Sequence, residues 1–280
     1  MALIALVSAT SSGVTTSAAA MALGSRRPVL LAELDLFGGK LRHGLLRDVQ
    51  RGGVRLDGHV GLHRLPQADW ERAAGQDFAP DVSQHFWPMD ESESRYVLPG
   101  LTDPRQAASL ASTWPSLVNV LLSVDQELGW DVLVDGGRMV LKGGRLHPVL
   151  TPAPVLHAAD VVLLVVRAND VSLVLGQTMV QSLQDELVLQ SGGSRGLGLL
   201  LVGDEYRPED VSRELEAPVL ARLPWDTTTA AFLSGGGRLP RGFSRSALMR
   251  AARDAMDPLR EHADRRRLHL QMRAPGGGHG

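Results

Sequence analysis

The 280-residue chain contains no cysteine, which excludes disulfide bridges and thiolate-bound metal. Lysine is almost absent too, since Lys40 and Lys142 are the only two among 29 basic residues. No apolar run reaches the roughly 18 to 20 residues that cross a bilayer as one helix, so no such span is expected. The N-terminus enters an apolar strand without a basic leader or cleavage site, which makes the cytoplasm the expected location. His43, His59 and His63 lack regular metal-ligand spacing and His157 reads as a helix-end residue, so no histidine metal site is expected. There is no Gly-x-Ser-x-Gly elbow for a serine nucleophile and no internal repeat.

What is present is the composition of an ordinary globular protein, 44% apolar and 21% charged, long enough to bury a substantial core. The net charge of −2 hides an asymmetry: residues 238–273 hold ten arginines against four acids, leaving 19 basic and 27 acidic residues elsewhere. Such a segment suits a polyanion, an acidic membrane surface or an acidic partner, or it is a solvated helix face.

Short apolar runs alternate with helix-period segments, which predicts an α/β fold: a doubly wound, mostly parallel sheet of about seven strands with helices on both faces. Strands are expected over 3–8, 28–34, 95–98, 131–135, 161–166, 197–202 and 219–222. Helices are expected over 15–23, 40–48, 104–111, 116–128, 171–189, 208–214, 227–233 and 244–267. Residues 1–264 read as a single domain. Residues 52–94, with isolated aromatics at Trp70, Phe78, Phe86 and Trp87, read as an irregular insertion that packs on the sheet or on a partner. Residues 265–280 read as a basic, then Gly-rich tail with a disordered end.

The first strand runs into Ser8-Ala9-Thr10-Ser11-Ser12-Gly13-Val14-Thr15-Thr16-Ser17 and then an Ala-rich helix. That order of strand, small-residue loop and helix brings backbone N–H groups onto a phosphate. The second strand ends with Glu33 and Asp35 at i and i+2, and the strand over 131–135 ends with Asp135 before Gly136-Gly137. Carboxylates at that edge of an open sheet are placed to hold Mg²⁺ near a phosphate. Each feature has a plain structural alternative: a turn kept for packing, solvated strand-end acids, and an Asp that starts a turn.

In order and spacing these segments resemble the ParA/MinD group of P-loop ATPases, the deviant Walker A class, and its degenerate members in high-GC bacteria. The resemblance runs from Ala2 to about Leu259. It rests on Gly13-Val14-Thr15-Thr16, the Glu33-to-Gly39 segment and the Asp131-to-Asp135 strand, supported by the apolar strands at 161–166 and 199–202 and by Leu223-Pro224-Trp225-Asp226. It implies that ATP and Mg²⁺ are the cofactors, with Ser11, Ser12, Gly13, Val14, Thr15 and Thr16 around the phosphates. It places Thr15 and Asp135 on the metal, Asp35 as the catalytic residue that orients water, and Pro224 and Trp225 near the adenine. It also implies a homodimer and a bacterial protein partner.

Both lysines of the family's loop are missing, with Ala9 and Val14 in their places. Losing one charge-assisted hydrogen bond weakens phosphate binding by about ten- to a hundredfold, and losing a donor aimed at transition-state charge costs roughly 10² to 10³ in rate. Hydrolysis should therefore suffer more than binding, unless an arginine from elsewhere or Lys40 substitutes in space. The expected role is a spatial-organising or scaffolding component of a pilus, secretion or partitioning assembly. The alternatives are an active Mg-ATPase of partitioning or division-site type, and a nonspecific DNA-associated protein. The last would use Arg245, Arg250, Arg253, Arg265, Arg266 and Arg267. Leu268, Leu270 and Met272 offer too little apolar surface for firm membrane anchoring.

Overall fold

The computed structural model describes residues 2–10, 13–65, 82–191, 196–235 and 238–273. The chain forms β1 (Leu3–Ser8), β2 (Val29–Glu33), β3 (Gln50–Arg51), β4 (Val54–Arg55), β5 (Trp87–Pro88), β6 (Arg95–Leu98) and β7 (Asp131–Arg138). These are followed by β8 (Leu141–Lys142), β9 (Arg145–Leu146), β10 (Val161–Arg167), β11 (Leu197–Val202) and β12 (Val219–Leu223). Eight of them make one sheet in the order β12-β11-β10-β1-β7-β2-β6-β5, parallel throughout except for the β5–β6 pair. The pairs β3–β4 and β8–β9 are separate two-stranded hairpins.

The central strands are buried on both faces, as crossover topology requires, and therefore read as unbroken apolar runs. Side-chain alternation divides each run between two cores. Leu3, Ala5 and Val7 of β1 face one, and Ala2, Ile4 and Leu6 face the other. The first core is covered by α3 (Trp114–Gln126), α4 (Ala153–Ala158), α5 (Asp170–Ser191) and α6 (Pro208–Glu214). The second is covered by α1 (Val14–Gly24), α7 (Thr227–Leu233) and α8 (Ala247–Arg273), with the short α2 (Lys40–His43) at its rim. Because α1 lies between the sheet and α8, almost its whole circumference is buried, which explains why it is built from alanine. Its end at Gly24 sits so close to α8 that a Cβ there would stand 3.1 Å from the Arg253 amide nitrogen.

Several details differ from the sequence expectation, among them a 3-10 helix over Pro104–Leu110 in place of an α-helix, and α4 and the two hairpins, which were not expected. The helix expected over 40–48 is one turn long, because Gly44 breaks it and packs against the Ser234 carbonyl. An eighth strand, β5, comes from the aromatic insertion: Trp87 is buried, and its indole nitrogen donates to the Val49 carbonyl. Within that insertion, Trp70 and Phe78 lie outside the described residues, as does the 274–280 end of the tail. Finally, α8 runs on to Arg273, so residues 265–273 continue a helix rather than begin a separate tail.

Arginines of α8 clamp this helix onto the N-terminal edge of the sheet. Arg260 bonds Asp131 at 2.6 Å, and Asp131 in turn accepts the Ala2 amide. Arg267 reaches Asp160 and Asp125, each at 2.6 Å, while Asp160 accepts the Leu3 amide. Arg266 donates to the carbonyls of Ala159 and Asp160. Among the described residues no single helix is long and apolar enough to cross a membrane.

Candidate functional site

At the opposite, C-terminal edge of the sheet, where β1, β7 and β2 end, a cavity of about 490 Å³ opens. That volume is in the range of pockets that take a small organic ligand. One wall is the start of α1. Gly13 precedes the helix with φ 85°, a left-handed conformation that glycine adopts without steric cost, and a Cβ placed on it would meet nothing within 4 Å. Gly13 has no side chain with which to cap α1 and no acid occupies the first turn, and these first-turn residues line the cavity. Gly13, Val14, Thr15 and Thr16 line this wall together with Ser8 and Thr10.

The acids lie at and beneath the cavity: Asp35 lines it, and Asp135 is buried below its surface. Asp135 pairs in register with Leu6 of β1 and Glu33 of β2 and is fully buried. Its Oδ1 accepts the Gly137 amide at 3.1 Å, whereas its Oδ2 has no hydrogen-bond partner among the described residues. Burial, reinforced by the neighbouring Asp35, pushes its carboxyl up to about 6, against the opposing pull of the Thr15 hydroxyl, the Gly137 amide and Lys40.

Asp35 lies beside it, 3% exposed, accepting the Phe37 amide at 3.0 Å and the Lys40 ammonium at 3.0 Å. Gly137 makes room for it: with φ 63°, a Cβ at that position would stand 2.5 Å from the Asp35 carboxyl carbon. Glu33 has a different task. Its two oxygens accept the Leu41 and Gly100 amides, both at 2.9 Å, bracing α2 against the loop after β6. Burial and Asp135 push Glu33 up to about 7 even though those two amides favour its charge.

Two cations complete the cavity, Lys40 at the start of α2 and Arg138 at the end of β7. Burial alone would depress the Lys40 ammonium, but the charge and hydrogen bond of Asp35 outweigh it and raise the pKa. The Arg138 guanidinium lies 5.0 Å over the Phe37 ring. Arg138 and Phe37 were not legible as site residues in the sequence; the only signal for Arg138 was its place three residues after Asp135.

The other predicted residues are elsewhere. Ser11 and Ser12 lie outside the described residues. Pro224 and Trp225 follow β12, three strands from β1, and do not line the cavity; the Trp225 ring is instead covered by the Arg167 guanidinium at 4.0 Å. The expected DNA-contacting row is divided. Arg245, Arg250 and Arg265 are exposed and Arg253 is half-buried, donating to the Ser244 carbonyl. Arg266 and Arg267 are spent on the internal clamp, because the Ala159 and Asp160 carbonyls and the acids Asp125 and Asp160 need them. No group of three or more metal-binding side chains occurs among the described residues.

Chemically, the cavity offers first-turn amides and hydroxyls that can donate to an anion, with the incompletely bonded Asp135 carboxylate buried beneath it, of a type that suits a hard cation. Magnesium typically takes one or two protein ligands plus phosphate and water oxygens. Thr15 and Asp135 therefore fit it without a larger cage.

No protein-family model matches the chain, and no curated protein matches it in sequence. Solved structures do match. The septum site-determining protein MinD of Pyrococcus horikoshii, complexed with Mg-ADP, is 18% identical with a TM-score of 0.63, covering 95% of this chain and 99% of that one. A ParA family ATPase of Chlorobium tepidum is 14% identical with a TM-score of 0.63, covering 91% and 99%. The MinC:MinD cell division protein complex of Aquifex aeolicus contains a chain 13% identical with a TM-score of 0.57, covering 93% and 96%. Agreement over nearly the whole length, at identities this low, is agreement of fold, and the chain accordingly has the ParA/MinD-like fold of the P-loop NTPases.

Proposed function

We propose that the chain is a ParA/MinD-like protein that holds Mg-ATP weakly and hydrolyses it slowly or not at all. It acts as a spatial-organising or scaffolding component of a bacterial assembly of pilus, secretion or partitioning type. One observation carries this reading: the cradle keeps its left-handed Gly13, a helix start with no acid in its first turn and the Asp135 Oδ2 without a partner among the described residues, while the loop has Ala9 and Val14 where the resemblance places lysines. Val14 is itself 5% exposed and packed in the second core, so the position has been given over to packing.

In this reading Thr15 and Asp135 hold Mg²⁺, which neutralises phosphate charge when bound. The α1 amides and the Thr10, Thr15 and Thr16 side chains hold the phosphates, and Asp35 orients a water. Homodimerisation and a protein partner are part of the proposal, supported by the likeness to a protein found in a MinC:MinD complex. The test is calorimetric titration with ATP and Mg²⁺ alongside steady-state turnover. Binding without appreciable turnover supports the proposal. Steady turnover that disappears in Asp135→Ala supports the second reading, an active Mg-ATPase, which Lys40 in the cavity favours. A nonspecific DNA role has less support, since two of its six arginines are internal.

A further inference from the structure

The cavity's two cations, Lys40 and Arg138, come from chain segments other than the 13–16 turn that also lines it. We infer that Lys40 and Arg138 replace, in space, the two lysines absent from the loop, and that Lys40 is exchanged from Asp35 to the phosphate chain of the ligand when it binds. This rests on the proposed phosphate-binding role of the cavity and specifies what in this chain supplies the charge.

Four observations support it. First, the cavity is lined by Gly13, Val14, Thr15 and Thr16 and also by Lys40 and Arg138, so all six face one space. Second, the Lys40 backbone is fixed on both sides while its head is not. The Gly39 amide donates to the Leu101 carbonyl, with no room for a Cβ at 39, and the Leu41 amide is held by Glu33. The Lys40 side chain nonetheless remains 58% exposed, with its ammonium on the buried Asp35. A long stem on a fixed root lets the charge swing without moving the fold.

Third, Arg138 makes no ion pair among the described residues and is carried by β7 directly after the Gly137 turn that packs on Asp35. Its guanidinium therefore has donors to spare for phosphate oxygens. Fourth, the charges of Lys40 and Arg138 balance those of Asp35 and Asp135. A polyphosphate therefore brings its own divalent cation to the cavity, beneath which the Asp135 Oδ2 lies buried without a hydrogen-bond partner among the described residues. When Lys40 moves to phosphate, Asp35 loses its partner and becomes available to a water or to the metal.

The shared ligand chemistry is a magnesium-bound phosphate chain, from a nucleotide or from inorganic polyphosphate. The test titrates the full-length protein with Mg-ATP and, separately, with Mg-tripolyphosphate, using wild type, Lys40→Gln, Lys40→Arg, Arg138→Gln and the control Lys142→Gln. Thermal melts check folding. Lys40→Gln and Arg138→Gln should each weaken Mg-ATP binding by about ten- to a hundredfold; Lys40→Arg should retain most of the affinity and Lys142→Gln all of it. Because the chain has only two lysines, ε-¹³C-lysine labelling gives a second readout: the Lys40 resonance should shift on adding Mg-ATP and the Lys142 resonance should not.

Wild-type binding that Lys40→Gln leaves unchanged, or an unmoved Lys40 resonance at saturation, overturns the inference and leaves the nucleotide reading standing. Tripolyphosphate binding as tight as ATP, with the same loss in Lys40→Gln, supports the inference and removes the nucleotide specificity from the proposed function. No wild-type binding of either probe overturns both.

Discussion

Asp135→Asn should make the protein more stable, and increasingly so as pH rises. The carboxylate is fully buried, and its pKa rises from the usual 3.8 to about 6. Between those values the folded protein keeps a proton that the unfolded chain has released. The stabilisation linked to that proton is complete below pH 3.8 and is lost as pH climbs through about 6. Two pKa units correspond to about 3 kcal/mol. Asparagine keeps an oxygen for the Gly137 amide and carries no charge to be desolvated at this buried position. The variant should therefore exceed wild type by about 3 kcal/mol at pH 8 and by about half that at pH 5, with no advantage below pH 4. Loss of the Asp135 charge also lets Glu33 fall back from about 7, which acts in the same direction. Urea denaturation at pH 5 and 8 measures both differences. A variant no more stable than wild type at pH 8 would refute the view of Asp135 as a carboxylate held at a cost for a cation.

Other predictions follow from particular contacts. Gly137→Ala places a Cβ 2.5 Å from the Asp35 carboxyl carbon at a φ of 63°, and should both lower the melting temperature and abolish Mg-ATP binding in calorimetry. Arg260→Ala strands the fully buried Asp131 and should cost about 3 to 5 kcal/mol in urea denaturation, whereas Arg250→Ala, at an exposed site, should change stability by less than about 0.5 kcal/mol. If the protein touches DNA through Arg245, Arg250 and Arg265, affinity should fall with salt and the triple alanine variant should flatten that slope; a slope that survives the substitutions excludes this face.

The sheet was largely legible because buried parallel strands must be apolar runs: the seven expected ones recur within a few residues. The two-residue β5 was not legible, since Trp87-Pro88 has no period and becomes a strand only by pairing with Val97 and Tyr96. The arginine-rich helix misled for a related reason. Charge in a sequence reads as surface, but Arg266 and Arg267 are drawn inward by acids that precede them by more than 100 residues. At the site, Gly13, Asp35 and Asp135 could be picked out in the sequence because each follows the apolar run of a strand at the same edge of the sheet. Lys40, already a candidate in the sequence, opens α2 after β2, and Arg138 ends β7; both meet the loop through the sheet order that sets β7 between β1 and β2.

Titration of the purified protein with ATP, with and without Mg²⁺, tests the central claim most directly. If the proposed function holds, this cavity, with Gly13 and Thr15 in its wall, Asp135 beneath it and no lysine at 9 or 14, should show saturable, magnesium-dependent binding with little or no turnover. The absence of any binding, or equally tight binding without magnesium, would contradict it.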